Sequence, residues 1–578
     1  MHAVRSLLAA VGLLAIGGCA QPDPIEQAGE SYKQAHDLSG RGHPEQAIPF
    51  YNSAIRLNPK FVAAYNERGF ARRRTGDLPG STADFDRAIE LDPHYADARC
   101  NRGLNRLEAA DLSGAMEDFN AAIKANPKLA EAYTNRGLVH TRQGEFKEAV
   151  GDFASAIELS PDSATAYINR AEARSNAKDL DGAYADYTQA IEIGNKHPDL
   201  NDKGTVATAY NNRGVVEQDR NKLSEAIDDF NQAIQRDPNF VLAYVDRGLA
   251  RKLHGDLKSA IEDFDKAIAV AGQMPATDQS AVLAHAYWRR GETQLAGNNL
   301  RQALDDLDKA VKLNPNLAGA HNERGTVLRA KGEFRAALAS FDKAIELDPR
   351  LVEAYSNRAL TKTMLNDFTG AIADYSQALE INPDLASVYL NRGVARRGWG
   401  DLHHREAEMR RSRDKDGAAE ADKAASEQWN LAIADFNKAI KLDRKTPLVY
   451  EHRGEAKRAS GDLDGAIDDY TQQLEVKPDS SSAYNNRGLA RRDKGDTPGA
   501  LQDFTRAIEV DRDNATAYAN RGFLRLRIAL LNGSRELEAN QDFEACLQLH
   551  PELKPQLDEI IRNLKAHSRE QAKADGGK

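Results

Sequence analysis

Eight asparagines in this chain stand in a recurring short string. Asn101, Asn135, Asn169, Asn212, Asn357, Asn391, Asn486 and Asn520 are each followed by arginine and then by glycine or alanine. A primary amide offers a donor and an acceptor, so it can match a peptide backbone whatever side chains that backbone carries. A row of such amides could hold an extended segment with little sequence preference. Glu67, Asp246, Arg289, Glu323 and His452 take the equivalent place elsewhere and would add selectivity. The other reading is that duplication copied the string and left its asparagines solvated.

The arginine of that string belongs to a longer series. Thirteen arginines share its place, among them Arg68, Arg136, Arg247 and Arg487, and twelve aspartates share a matching one, including Asp84, Asp152, Asp263 and Asp503. A guanidinium and a carboxylate can join through two parallel hydrogen bonds, which explains why arginine recurs rather than lysine. The expectation is a ladder of Arg–Asp pairs between helices. An arginine row could instead take anionic ligands, but the matched aspartates would cancel its field.

Other chemistry is sparse. The sequence has no Gly-x-Ser-x-Gly elbow, phosphate-binding glycine loop or His-Glu-x-x-His helix. His404 and Glu408 share a helix face, but two loose ligands do not make a metal site. No enzyme, metal or cofactor is expected. Lysines and arginines number 78 against 88 acidic residues, a formal charge of −10. Nucleic-acid affinity rests on neutralising phosphates, so no nucleic-acid partner is expected. Three cysteines, including the distant Cys100 and Cys546, cannot staple 578 residues.

The elements that position these residues follow a 34-residue period. Small residues recur at Ala35, Gly69, Gly103, Gly137 and Ala171; at Gly214 and Gly248; at Gly291, Gly325, Ala359 and Gly393; and at Gly454, Gly488 and Gly522. Such a period marks stacked helix–turn–helix repeats. It gives about fourteen over residues 28–553, with insertions near 195–205, 272–283, 403–429 and 529–538. Length alone would have suggested roughly four domains. Each repeat carries two small residues around a large one, as in Ala149, Phe153 and Ala156. The large residue is aromatic in thirteen repeats, with Leu307 the exception. The spacing predicts that this ring fills the gap against the small residue of the other helix. Gly42, Gly76, Gly144, Gly255, Gly332, Gly400, Gly461 and Gly495 mark the turn, with Asn221, Asn298 and Asn366 in their place elsewhere. Prolines such as Pro59, Pro93, Pro349 and Pro551 close the second helix. The insertion after Leu402 balances six basic and six acidic residues over 403–423 and predicts a solvated helical excursion.

In register, these positions resemble the tetratricopeptide repeat family. The resemblance implies an all-α, right-handed superhelical solenoid whose first helices line a concave groove. It also implies that the eight asparagines face that groove, as in carboxylate-clamp repeats and the superhelix of O-linked N-acetylglucosamine transferase. Asn195, Gly272, Arg444 and Arg512 depart from the pattern by lacking the closing proline. After the last repeat, Leu553, Leu557, Ile560, Ile561 and Leu564 form an amphipathic stripe. This predicts a capping helix over 554–566 and a disordered tail over 567–578.

The N-terminus reads as a targeting signal. Arg5 precedes an apolar stretch from Leu7 to Ile16, followed by Ile16-Gly17-Gly18-Cys19. These residues resemble a bacterial lipobox, which implies a signal peptide over 1–18, lipid-modified Cys19 and a tether over 19–27 made extended by Pro22 and Pro24. Cleavage after Ala20 is the simpler alternative and would leave a soluble periplasmic protein. The expected function is a scaffold binding proteins or extended peptides, anchored in the bacterial envelope, with the outer membrane favoured, and facing the periplasm. It resembles bacterial repeat lipoproteins that assist envelope assembly. The alternative is an accessory to glycan export or cell-wall processing, with the groove contacting carbohydrate.

Overall fold

The computed structural model describes residues 23–196, 203–534 and 536–575. All elements described are helical, and they fall into two compact units, one made of the described residues up to 275 and the other of those from 276 onward. The first unit contains repeats 1–7 as seven helix pairs, and the second contains repeats 8–14 followed by a capping helix. Within each unit, a helix packs against the other helix of its repeat and against its sequence neighbour in the next. The helical repeat architecture expected from the period is observed.

Repeat 4 shows how the sequence produces one pair. Its helix A spans Ala130–Gln143 and its helix B spans Phe146–Leu159. Between them Gly144 adopts φ 78°, a left-handed conformation that glycine enters without Cβ strain. Helix B buries Ala149, Asp152, Phe153, Ala156 and Ile157 on one face. The Phe153 ring lies on Gly137 of helix A so closely that a Cβ there would stand 2.7 Å from its Cε1. The ring therefore fills the gap expected from the sequence, and the pattern repeats from Gly69–Phe85 to Gly522–Phe543. Several B helices start under an aspartate cap; Asp77 Oδ1, for example, accepts from Gly80 N at 2.9 Å.

Some expectations need correction. Gly400 is not a turn residue but lies inside helix Ala386–Arg410, where it makes room for Trp429. The 403–429 insertion lengthens both helices of repeat 11, the second spanning Lys415–Leu442. A buried seam of Ala407, Ala418, Ala421, Ala425 and Trp429 holds this hairpin together. Trp429 Nε1 also donates to Asp401 Oδ1 at 2.9 Å. Pro24 opens helix Pro24–Gly40 under an Asp23 cap, so residues 24–27 are helical instead of an extended tether. The capping helix runs from Lys554 to Asp575, well past 566, through a stretch rich in the helix formers Glu, Gln, Ala and Lys. Its Leu557 is buried against the cluster of Phe543 and Cys546, whereas Ile560 is 45% exposed. The signal segment, Cys19, Ala20 and Pro22 lie outside the described residues. No helix among those described is long and apolar enough to cross a membrane.

Candidate binding surface

The surroundings of the asparagines depend on how the arginine series is used. Repeat places are counted from the first residue of each repeat, so Asn135, Arg136 and Gly137 occupy places 6, 7 and 8. Arg136 Nε and Nη2 donate to Asp152 Oδ2 and Oδ1 at 2.8 and 2.6 Å, joining helices A and B of repeat 4. The same two-pronged contact recurs from Arg102–Asp118 to Arg521–Asp542. The expected ladder is present.

Its connections reach further than the sequence reading anticipated. The remaining Nη1 of Arg136 donates to Asn120 Oδ1, at place 25 of the preceding repeat, at 2.7 Å. Arg68 reaches Asn52, Arg247 reaches Asn231 and Arg453 reaches Asn437 in the same way. A second cation at place 11 shares the aspartate: Arg72 meets Asp84, Arg251 meets Asp263, and Lys362 meets Asp374, each at 2.8 Å. Repeat 9 has Ser340 and Leu328 at these two places. There Arg324 donates to Ser340 Oγ and to Asp308 of the preceding repeat instead. Most of these arginines thus tie neighbouring repeats together; Arg170, which follows Ala154 at place 25, hydrogen-bonds only Asp186 among the described residues.

The asparagine row is divided between structure and surface. Asn101, Asn357 and Asn520 donate to Asn66, Asn322 and Asn485, at place 5 of the repeat before, at 3.0, 3.0 and 2.9 Å. These amides link successive A helices, a partnership the sequence reading missed. Asn212 lies beside Tyr187, and Asn486 accepts from Asn485 at 3.4 Å. Asn169 and Asn391 are half-buried and make no side-chain hydrogen bond among the described residues. Asn135 is only 9% exposed; its Nδ2 touches Cys100 Sγ at 3.6 Å, and its oxygen accepts no hydrogen bond among the described residues.

Asn101 and Asn135 come together in one concavity of about 540 Å³ over repeats 2–5, with Phe70, Leu104, Glu131 and Thr134 among its walls. A second hollow of about 220 Å³ adjoins it, sharing Phe70, Asn101 and Glu131 and adding Asn66 and Glu67. Burial holds the Glu67 carboxyl above its ordinary range, and Asp97's charge pushes the same way. Burial also raises the Cys100 thiol to about 12. The other asparagines of the row do not join this concavity. No group of three metal-ligating side chains occurs among the described residues, and His404 bonds Asp422 at 3.1 Å across the hairpin.

Family profiles described as tetratricopeptide repeat or TPR repeat match residues 32–96, 100–164, 142–198, 207–240, 284–317, 325–365, 361–396 and 488–528. The chain belongs to the tetratricopeptide repeat family. Tetratricopeptide arrays are protein-interaction scaffolds and are generally non-catalytic. Comparison with curated proteins finds no match. Among solved structures, the chain is similar to the APC/C Cut9–Hcn1 hetero-tetramer, at 13% identity and a TM-score of 0.42, covering 87% of this chain and 98% of that one. Yeast Tom70 is similar at 18% identity and a TM-score of 0.34, covering 84% and 96%. A tetratricopeptide repeat protein from Parabacteroides merdae is similar at 20% identity and a TM-score of 0.36, covering 45% and 99%.

Proposed function

We propose that this protein is a non-catalytic adaptor that holds extended segments of partner proteins against the A helices of repeats 2–5. The observation that carries this reading is Asn135. Its amide stands in the wall of an open concavity, beside Asn101, with Nδ2 against Cys100 Sγ and an oxygen that accepts no hydrogen bond among the described residues. That oxygen opens onto the concavity, where a backbone N–H from a bound segment can take the place of water. Carbohydrate contact has less support, because the tryptophans serve packing. Trp429 is buried, Trp399 packs against a core cluster, and Trp288 lies on Gly319.

The adaptor would act from the bacterial envelope, tethered through a lipid on Cys19, as the lipobox-like residues imply. Capture of partners by crosslinking in intact cells tests the groove. Replacing Asn101 and Asn135 together with alanine is expected to reduce capture, and unchanged capture rejects the reading. Metabolic labelling with palmitate tests the tether independently. Label should enter the wild type and be lost on Cys19→Ser; an unlabelled wild type rejects the anchor.

A further inference from the structure

The concavity over repeats 2–5 has a charge pattern that the asparagines do not explain. Glu67, Asp97 and Glu131 line it or its adjoining hollow, and no lysine or arginine does so among the described residues. Arg73, whose charge reaches Cys100 in the adjoining hollow, is already paired with Glu108 at 3.3 Å. Asp97 and Glu131 are exposed, and neither makes an ion pair among the described residues. Glu67 accepts from Asn66 Nδ2 at 3.2 Å, and exposed His36 stands 4.0 Å away. Phe70, 39% exposed and one helical turn from Glu67, lines both hollows.

An aromatic face beside uncompensated carboxylates is a setting that attracts an ammonium or guanidinium group. Asn135, in the same wall, keeps an oxygen that accepts no hydrogen bond among the described residues and can take a donor from a ligand. We propose that this concavity selects extended protein segments bearing lysine or arginine. The cation lies over Phe70 among Glu67, Asp97 and Glu131, while Asn101 and Asn135 hold the segment's backbone. This inference rests on the groove reading above and adds the class of partner. Burial and the neighbouring acid already disfavour the charged form of Glu67, so a bound cation would relieve a strain present in the empty groove.

Fluorescence anisotropy with the full chain separates the two levels. The probes are a labelled, acetylated and amidated ten-residue peptide alternating leucine with lysine, and its analogue with glutamine at every lysine. The lysine peptide is expected to bind at least about tenfold tighter at low salt, with the gap narrowing as salt screens the carboxylates. The triple variant Glu67→Gln, Asp97→Asn, Glu131→Gln should bring the lysine peptide down to the glutamine peptide without changing the latter. Asn135→Ala should weaken both. Equal affinities in the wild type, or a lysine advantage that survives the triple variant, overturn the choice of a basic segment and leave the groove reading standing. Indifference of both peptides to Asn135→Ala overturns the groove reading, and failure of the lysine peptide to bind overturns both. Circular dichroism and melting of each variant separate lost binding from lost folding.

Discussion

Arg247 grips Asp263 with two nitrogens, Nη2 to Oδ1 at 2.6 Å and Nε to Oδ2 at 3.0 Å, across the two helices of repeat 7. Asp263 is 3% exposed on its side chain and also receives Arg251, so one carboxylate neutralises parts of two guanidinium groups. Removing one partner of a buried pair leaves the other charge uncompensated, typically at about 3–5 kcal/mol. Asp263→Asn should therefore lower stability to urea, by about 2–4 kcal/mol because the arginines keep some contact with water. Urea denaturation followed by circular dichroism measures it. Unchanged stability combined with lost partner binding would show that the aspartate serves the ligand and not the stack.

Repeat boundaries, the ring against glycine and the Arg–Asp ladder were legible because each depends on residue types at fixed spacing. The second cation at place 11, from Arg72 through Arg251 to Arg525, forms a less regular column, interrupted by Glu217, Gln294 and Leu328, so its spacing alone does not mark it as a partner of the aspartates. The bonds from Asn101 to Asn66 and from Arg136 to Asn120 were harder to see. They cross between repeats, where the relative placement of side chains depends on the packing of successive helix pairs. Gly400 misled for a related reason. The place that is a turn in other repeats falls mid-helix when an insertion continues both helices, and its glycine then serves Trp429. The concavity over repeats 2–5 arises from residues of several repeats facing one space, so no single string announces it.

Two glycines of repeat 4 should respond in opposite directions to the same substitution. At Gly137 a Cβ would stand 2.7 Å from the Phe153 ring, whereas at Gly151 nothing lies within 4 Å. Overpacking a core costs about 1–3 kcal/mol. Glycine in a helix interior costs about 0.5–1 kcal/mol relative to alanine. Gly137→Ala is expected to lower the thermal midpoint and Gly151→Ala to raise it slightly. A loss at both positions would mean that helix propensity is not what limits Gly151.

Cys100 and Cys546 are free and fully buried. Desolvation pushes both thiols upward, Cys100 to about 12, so the reactive thiolate is scarce at neutral pH. At pH 8, a maleimide should leave both unmodified in the native protein and label both in denaturant, as read by peptide mass mapping. Rapid native labelling of Cys100 would show that repeats 3 and 4 open readily at the concavity.

Glu67 links stability to the proposed binding chemistry. Its folded-state pKa lies above the ordinary value of 4.5, chiefly through burial, with Asn66 and His36 opposing and Asp97 reinforcing the shift. A carboxyl raised in the folded state is held protonated more tightly there than in the unfolded chain. Ionising it therefore lowers stability as pH rises from the unfolded pKa through the folded one, and the loss is complete above both. Glu67→Gln retains an oxygen to accept from Asn66 and removes that ionisation. The variant should melt above the wild type at pH 7, and the two should converge as pH falls below about 4, where the carboxyl is protonated in both states. A paired melting series from pH 3.5 to 8 provides the measurement. A gap that persists unchanged at the acid end would assign the gain to packing, and a lower midpoint at pH 7 would show that the charged carboxylate stabilises the empty groove.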